Sequence, residues 1–383
     1  MQSLFKDIAD FIKTQFTGQD FIPLHAPLFI GNERKYVMDT IDSTYVSSVG
    51  KYVDKFEEMI CGITGASYAV AIVNGTNALH LALLLADVER DDEVISQSLT
   101  FIATCNAISY IGATPLFIDI DRDSLGLSPK ALKEYLTDNA EIKPNGFCYN
   151  KITGKRIKAC VPMHTFGLPC RIDEIAEICK NWNIILVEDA AESIGSYYKN
   201  KHTGTFGNIG TFSFNGNKTI TSGGGGAVIT NNETLARKAK HLTTQAKVAH
   251  PWAFVHDAVG YNYRMPNINA ALACAQLEQL DRFVDNKREL AEIYHQKFKA
   301  IGVNFCNELP EARANFWLNT ILLDNKDERE EFLSYMNSNG VMSRPVWELM
   351  HRLPMFENAV KGELNNSEWI ADRLVNIPSS VRL

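Results

Sequence analysis

The stretch Ile184-Ile185-Leu186-Val187-Glu188-Asp189-Ala190-Ala191-Glu192 decides the fold. Four branched apolar residues in a row, with no polar alternation, read as a strand buried on both faces, the habit of a parallel sheet covered by helices. The run then turns acidic, and open α/β sheets bind their ligands at the carboxyl ends of the strands. A carboxylate delivered there needs a cationic partner, unless Asp189 or Glu192 serves only to cap the helix that follows.

Outward from this strand, short apolar β-rich runs alternate with helical stretches from about residue 50 to 230. Strands are expected at 68–73, 93–96, 114–118, 159–163, 184–188, 209–213 and 227–230. That pattern predicts an α/β fold whose large domain is a mostly parallel seven-stranded sheet with helices on both faces. Residues 144–158 interrupt it with Asn145-Gly146 and Thr153-Gly154 turn signals, which predicts a hairpin inserted at the periphery.

Residues 1–19 place Leu4, Ile8, Phe11 and Ile12 at helical spacing among Asp and Lys, unlike the continuous apolar core of a signal peptide. An extended arm at 22–31, a helix at 32–41 and a tight loop at 46–50 follow. Beyond about residue 260 the pattern predicts one long helix over 267–299, a strand over 316–323 and a helix from Asp327, which make a smaller C-terminal α+β domain. The expected division is an N-terminal helix and arm at 1–25, a large domain at 26–260 and a small domain at 261–383.

A chain of 383 residues with 45% hydrophobic content can bury such a core. The net charge of -7 and the absence of Lys or Arg blocks exclude a non-specific polyanion binder, so no nucleic acid partner is expected. No run approaches the roughly 20 apolar residues that span a bilayer, so no membrane partner is expected either. The eight cysteines are scattered, with no Cys-x-x-Cys pair and no metal-like grouping with His, as suits free thiols in a reducing cytoplasm.

Two further segments carry chemistry. In Val73-Asn74-Gly75-Thr76-Asn77-Ala78-Leu79-His80 a strand gives way to a helix, whose first N–H groups are unpaired and whose dipole favours an anion. In isolation this is equally a capped helix start. In Ser213-Phe214-Asn215-Gly216-Asn217-Lys218-Thr219-Ile220-Thr221, followed by Ser222 and Gly223 to Gly226, a lysine sits on backbone built for close approach, where desolvation makes an amine nucleophilic. Most lysines in glycine-rich turns are simply solvated. The order changes that balance, because a phosphate cradle, then a strand-end Asp, then a Lys about thirty residues further on is the arrangement of fold-type I pyridoxal-phosphate (PLP) enzymes.

The chain resembles the sugar aminotransferases of the DegT/DnrJ/EryC1/StrS family over essentially its whole length. The marks are Asn74-Gly75-Thr76 with Leu79-His80, Thr100-Phe101-Ile102-Ala103, Glu188-Asp189-Ala190-Ala191, Ser213-Phe214 with Asn217-Lys218, and Gly260-Tyr261-Asn262-Tyr263-Arg264. The resemblance implies PLP as cofactor, with Lys218 bonding covalently to its aldehyde carbon and then moving protons between cofactor and substrate carbons. It implies that Asp189 holds the pyridine nitrogen, that Phe101 stacks on the ring, and that Gly75, Thr76, Asn77 and Ser213 bind the phosphate. It further implies a homodimer with shared active sites, Asn262 reaching the cofactor from the neighbouring subunit. Glu192 departs from the pattern, since family members often carry His or Gln there beside the cofactor's 3-hydroxyl, and a carboxylate calls for protonation or a cation.

Within the family the likeness is to enzymes that aminate C4 of a 4-keto-6-deoxy-N-acetylglucosamine nucleotide, on the bacillosamine and legionaminic acid pathways. Ser47-Ser48-Val49-Gly50-Lys51-Tyr52-Val53, the insert near Thr153-Gly154 and Ser343-Arg344-Pro345-Val346-Trp347 with Met350-His351 carry it. The resemblance therefore implies L-glutamate as donor and a UDP- (or GDP-) linked 2-acetamido-2,6-dideoxy-hexos-4-ulose, a 4-keto-6-deoxy sugar, as acceptor, with Arg344 and His351 as substrate contacts. The alternatives are a C4-aminotransferase for another such sugar, of perosamine type, a PLP-dependent sugar dehydratase, or a non-catalytic nucleotide-sugar binding protein. The dehydratase branch typically has His where Lys218 stands.

Overall fold

Apolar runs bounded by polar turns become strands here because each is buried on both faces. The computed structural model of the chain describes residues 2–382. Its central sheet has the spatial order Tyr68–Ile72, Gly226–Thr230, Ile209–Ser213, Ile185–Asp189, Ile157–Val161, Glu93–Gln97, Thr114–Ile118. Gly226–Thr230 runs antiparallel to both neighbours, and every other pairing is parallel. The seven strands are those the sequence predicts, with ends shifted by a residue or two.

The two-residue period sends alternate side chains to opposite cores. Ala69 and Ala71 pack with Phe56, Ala270 and Cys274 on one face, while Val70 and Ile72 pack with Leu79, Leu83 and Ile108 on the other. Helices Lys51–Thr64 and Asn267–Leu277 cover the first face, and Gly75–Leu85, Ile102–Ile111 and Glu233–Thr243 the second. The insert forms an antiparallel hairpin, Ala140–Ile142 with Cys148–Asn150. Buried Glu93, at the start of a central strand, anchors it by accepting from Asn150 Nδ2 and Thr153 Oγ1, both at 2.8 Å.

The predicted single helix over 267–299 is two helices, Asn267–Leu277 and Leu280–Ala300. No Gly or Pro marks the break. It lies where Gln276 donates to Leu28 O and Glu33, and where Glu278 accepts from Asn32, Tyr36 and Lys55, so contacts with the segment 28–36 and with the helix Lys51–Thr64 hold it. A second, antiparallel sheet has the order Asn304–Phe305, Asn319–Leu322, Leu374–Ile377, Arg344–Pro345. The first helix, Gln2–Gln15, lays Phe5, Ile8 and Ile12 into the core of this sheet beside Tyr294, Ile321 and Phe332. Among the described residues no helix is long and apolar enough to cross a membrane, and no group of His, Cys, Asp or Glu has metal-site geometry.

Candidate active site

The parallel strands Ile185–Asp189 and Ile209–Ser213 lie side by side with Asp189 opposite Thr211, so both end at the same edge of the sheet. Helix Gly75–Leu85 starts against that edge. Gly75 is required by packing: a Cβ there would stand 2.6 Å from the Ser213 Cβ. The Asn74 side chain caps the helix by accepting from the Asn77 N–H at 2.8 Å. That leaves the N–H groups of Gly75 and Thr76 pointing out of the helix start, and Asn77 already engaged.

Around this edge lies a cavity of about 320 Å³, whose walls include Gly75, Thr76, Phe101, Asp189, Ser213 and Lys218. Asp189 is buried at its floor, accepting from Thr104 Oγ1 at 2.7 Å and from the Ala191 N–H at 3.2 Å. Among the described residues no cationic side chain pairs with it. Burial pushes its carboxyl above the usual range, opposed by the Thr104 hydroxyl, the Ala191 N–H and the charge of Lys218.

Lys218 reaches the cavity from the turn after the strand Ile209–Ser213. Its Nζ donates to Glu192 Oε1 at 3.0 Å and lies 3.9 Å from the centre of the Trp317 ring. Glu192, the residue that departs from the family pattern, thus has the cation it calls for. Burial also pushes its carboxyl up to about 7, against the pull of Lys218 and of the Phe166 N–H, which it accepts at 2.8 Å.

The remaining expected residues lie elsewhere. Asn262 is exposed and off the cavity, bridged to Thr244. Arg344 is exposed and pairs through its backbone with Asn376, also off the cavity. His351 is tied by Nδ1 to Ser98 Oγ at 2.7 Å and by Nε2 to Glu368 at 2.8 Å. Residues that the sequence reading missed complete the site. Trp317 and Trp347 line the cavity, Phe101 packs edge-on to Trp347 with ring centres 5.8 Å apart, and Thr104 orients Asp189. Trp347 lay within a quoted motif, whereas Trp317 was hidden in an expected strand and Thr104 in a helix.

The geometry accepts PLP. A cation-free buried carboxylate suits a protonated ring nitrogen, the open helix start suits a phosphate, and a recessed lysine faces both. A model of the DegT/DnrJ/EryC1/StrS aminotransferase family matches residues 29–383. The chain belongs to this family. It is a PLP-dependent aminotransferase. It is similar to a GDP-perosamine synthase of Escherichia coli O157:H7, 40% identical over 360 residues, covering 94% of this chain and 93% of the relative. A GDP-perosamine synthase of Vibrio cholerae is 37% identical, with 94% of each chain covered. Among solved structures, the aminotransferase TlmJ from Streptoalloteichus hindustanus superposes with a TM-score of 0.85 at 25% identity, over 94% of this chain and 93% of that one.

Proposed function

We propose that this aminotransferase moves the amine of L-glutamate to C4 of a nucleotide-linked 4-keto-6-deoxy sugar. The observation that carries the chemistry is Asp189, a buried carboxylate without a cation, set in one cavity with Lys218 and the open helix start at Gly75 and Thr76. PLP, when bound, supplies the electron sink that makes a carbon–hydrogen bond acidic. Asp189 would keep a proton on the ring nitrogen, the Gly75 and Thr76 N–H groups with Ser213 would hold the phosphate, and Phe101 would pack against the ring. Lys218, once its amine is free, takes the proton from the donor's α-carbon and later places one on the sugar's C4, which calls for a single base within reach of both carbons.

The perosamine-type acceptor is favoured over the UDP-linked 2-acetamido sugar, because relatives named as GDP-perosamine synthases are 35–40% identical over 94% of the chain. Perosamine is a 4-amino-4,6-dideoxy sugar, so its immediate precursor is the corresponding 4-ketone. The active unit in this reading is a homodimer in the cytoplasm: the exposed apolar loop around Trp252, Phe254 and Val259, with the exposed Asn262 next to it, supports the dimer, and the eight free cysteines support a reducing compartment.

The assay supplies PLP, L-glutamate and either the GDP-linked 4-keto-6-deoxy sugar or the UDP-linked 2-acetamido 4-ketone. 2-Oxoglutarate is measured, and the sugar is weighed by mass spectrometry. Amination of the GDP sugar in preference to the UDP sugar is expected. The reverse preference restores the acetamido-sugar reading, and no 2-oxoglutarate with any 4-keto sugar ends the proposal.

A further inference from the structure

The segment Asn315-Phe316-Trp317 leads into the strand Asn319–Leu322 of the second sheet, yet its tryptophan is buried against the turn that carries Lys218. Two contacts join them. The indole Nε1–H donates to the Asn217 carbonyl at 2.6 Å, and Lys218 Nζ lies over the ring face, 3.9 Å from its centre. The first grips the backbone next to the lysine, and the second bounds the far end of its side chain.

Trp317 is itself fixed at its backbone. Asn315 Oδ1 accepts its N–H at 2.8 Å, and its carbonyl accepts from buried Lys287 at 3.1 Å. Asn315, fully buried, donates from Nδ2 to the Glu192 and Ile194 carbonyls, both at 2.9 Å, and stands 3.3 Å from the hydroxyl of Thr219, the residue after Lys218. Between Asn315 and Trp317, Phe316 takes a left-handed backbone, φ 46°, that residues other than glycine rarely adopt. Such a conformation persists where the surroundings impose it, commonly at functional sites. Asn315 thereby stays locked to the segment after Asp189 while the indole faces the lysine.

A lysine stem is long and unbranched, so its amine, once free, has many rotamers open to it. Proton transfer is lost steeply when the reacting atoms are displaced by as little as about 1 Å. The amine also serves two carbons in turn, the donor's α-carbon and the sugar's C4, and a rigid directional bond would hold it at one of them. A flat aromatic face limits the swing of the amine without tying it to one point, and an amine N–H meets the π cloud whether or not the nitrogen is charged.

We propose that Trp317 is the positioning residue for Lys218: its indole N–H anchors the turn at Asn217, and its ring face confines the amine within reach of both carbons. The inference rests on reading Lys218 as the residue that bonds to the cofactor and moves the protons.

The experiment compares the parent with Trp317→Phe, which keeps a ring face and loses the N–H, and with Trp317→Leu, which loses both. PLP-loaded protein is mixed with L-glutamate and no sugar, and the loss of visible absorption gives the rate of one half-reaction. That rate is expected to fall about tenfold in the Phe variant and about 10²-fold in the Leu variant, with half-saturating glutamate changed less than about threefold. A second readout needs no turnover: when PLP is added to cofactor-stripped protein, the rate at which the lysine bonds is expected to fall in the same order. Lys218→Ala protein supplied with methylamine as a substitute base then tests the route. If Trp317 acts through the lysine, adding either Trp317 substitution changes the rescued rate less than about twofold. Half-reaction rates within about threefold of the parent in both variants, a loss confined to half-saturating glutamate, or a rescued rate lower by a further tenfold or so each overturns the proposal. Should the Leu variant fail to fold, the Phe variant carries every comparison. Borohydride reduction and peptide mapping of the parent separate the two readings. Label on Lys218 with unchanged variant rates sinks only the role of Trp317, and label absent from Lys218 sinks both.

Discussion

Asp189 accepts two hydrogen bonds from the protein and, among the described residues, is in direct contact with no cation, so a cation entering the cavity can pair with it. Asp189→Asn keeps the shape and removes the charge, and kcat/KM is expected to fall about 10²- to 10³-fold, as when a preorganised electrostatic contact is lost. Thr104→Val removes only the hydroxyl, which is one link of a short chain: Thr104 Oγ1 stands 3.1 Å from Thr100 Oγ1, and the Thr100 hydroxyl meets the Met163 sulfur. One hydrogen bond to an ionised group contributes about 1.5–3 kcal/mol, so a loss of about 10- to 150-fold is expected. Steady-state kinetics on both variants checks the ranking. A Thr104→Val enzyme as impaired as Asp189→Asn would mean that orientation outweighs charge at this position.

Between elements, the connection that stands out is Lys287, on the helix Leu280–Ala300. Fully buried, its Nζ donates to the Trp317 carbonyl at 3.1 Å and to the Ser379 carbonyl, tying that helix to the segment that carries the cavity tryptophan and to the C-terminal segment. Burial lowers its amine from the ordinary 10.5 to about 7. Between those values the unfolded chain keeps a proton that the folded chain releases, so stability rises with pH across the window, and the penalty of burying the charge is fully present below about 7. Thermal midpoints of the parent should therefore gain on those of Lys287→Met from pH 7 to about 9.5, a flat difference being the contrary result. Lys287 also shows what the sequence could not display. The seven central strands were legible because strands buried on both faces read as apolar runs that stop at polar turns. Asp189, Ser213 and Lys218 were legible because they end or follow such strands. Neither the break at Glu278 and Gln279 nor the contact of Trp317 with Lys218 is written locally, since both depend on segments far apart in the chain. The same holds for the edge strand Arg344–Pro345, two residues long and paired with Leu374–Ile377.

At the scale of the whole molecule, the segment before Gly260 presents Trp252, Phe254 and Val259 at 81%, 80% and 83% exposure. Three large apolar side chains on one loop are costly in water and suit burial by a second copy of the chain. Asn262 follows directly, exposed and away from its own cavity, and in the proposed dimer it would serve a neighbour's. In a twofold dimer each site then combines Lys218 of one subunit with the partner's copy of Asn262. Lys218→Ala protein and Asn262→Ala protein should each be severely impaired as homodimers. Co-expressed, they form heterodimers in which one site lacks both groups and the other has both intact. With random pairing about half of the dimers are mixed, so about a quarter of all sites are restored. Activity near that fraction of the parent's, well above the mean of the two homodimers, is the expected result. If the sites are each built from one chain, pairing restores nothing and the mixture shows only the average of its parts.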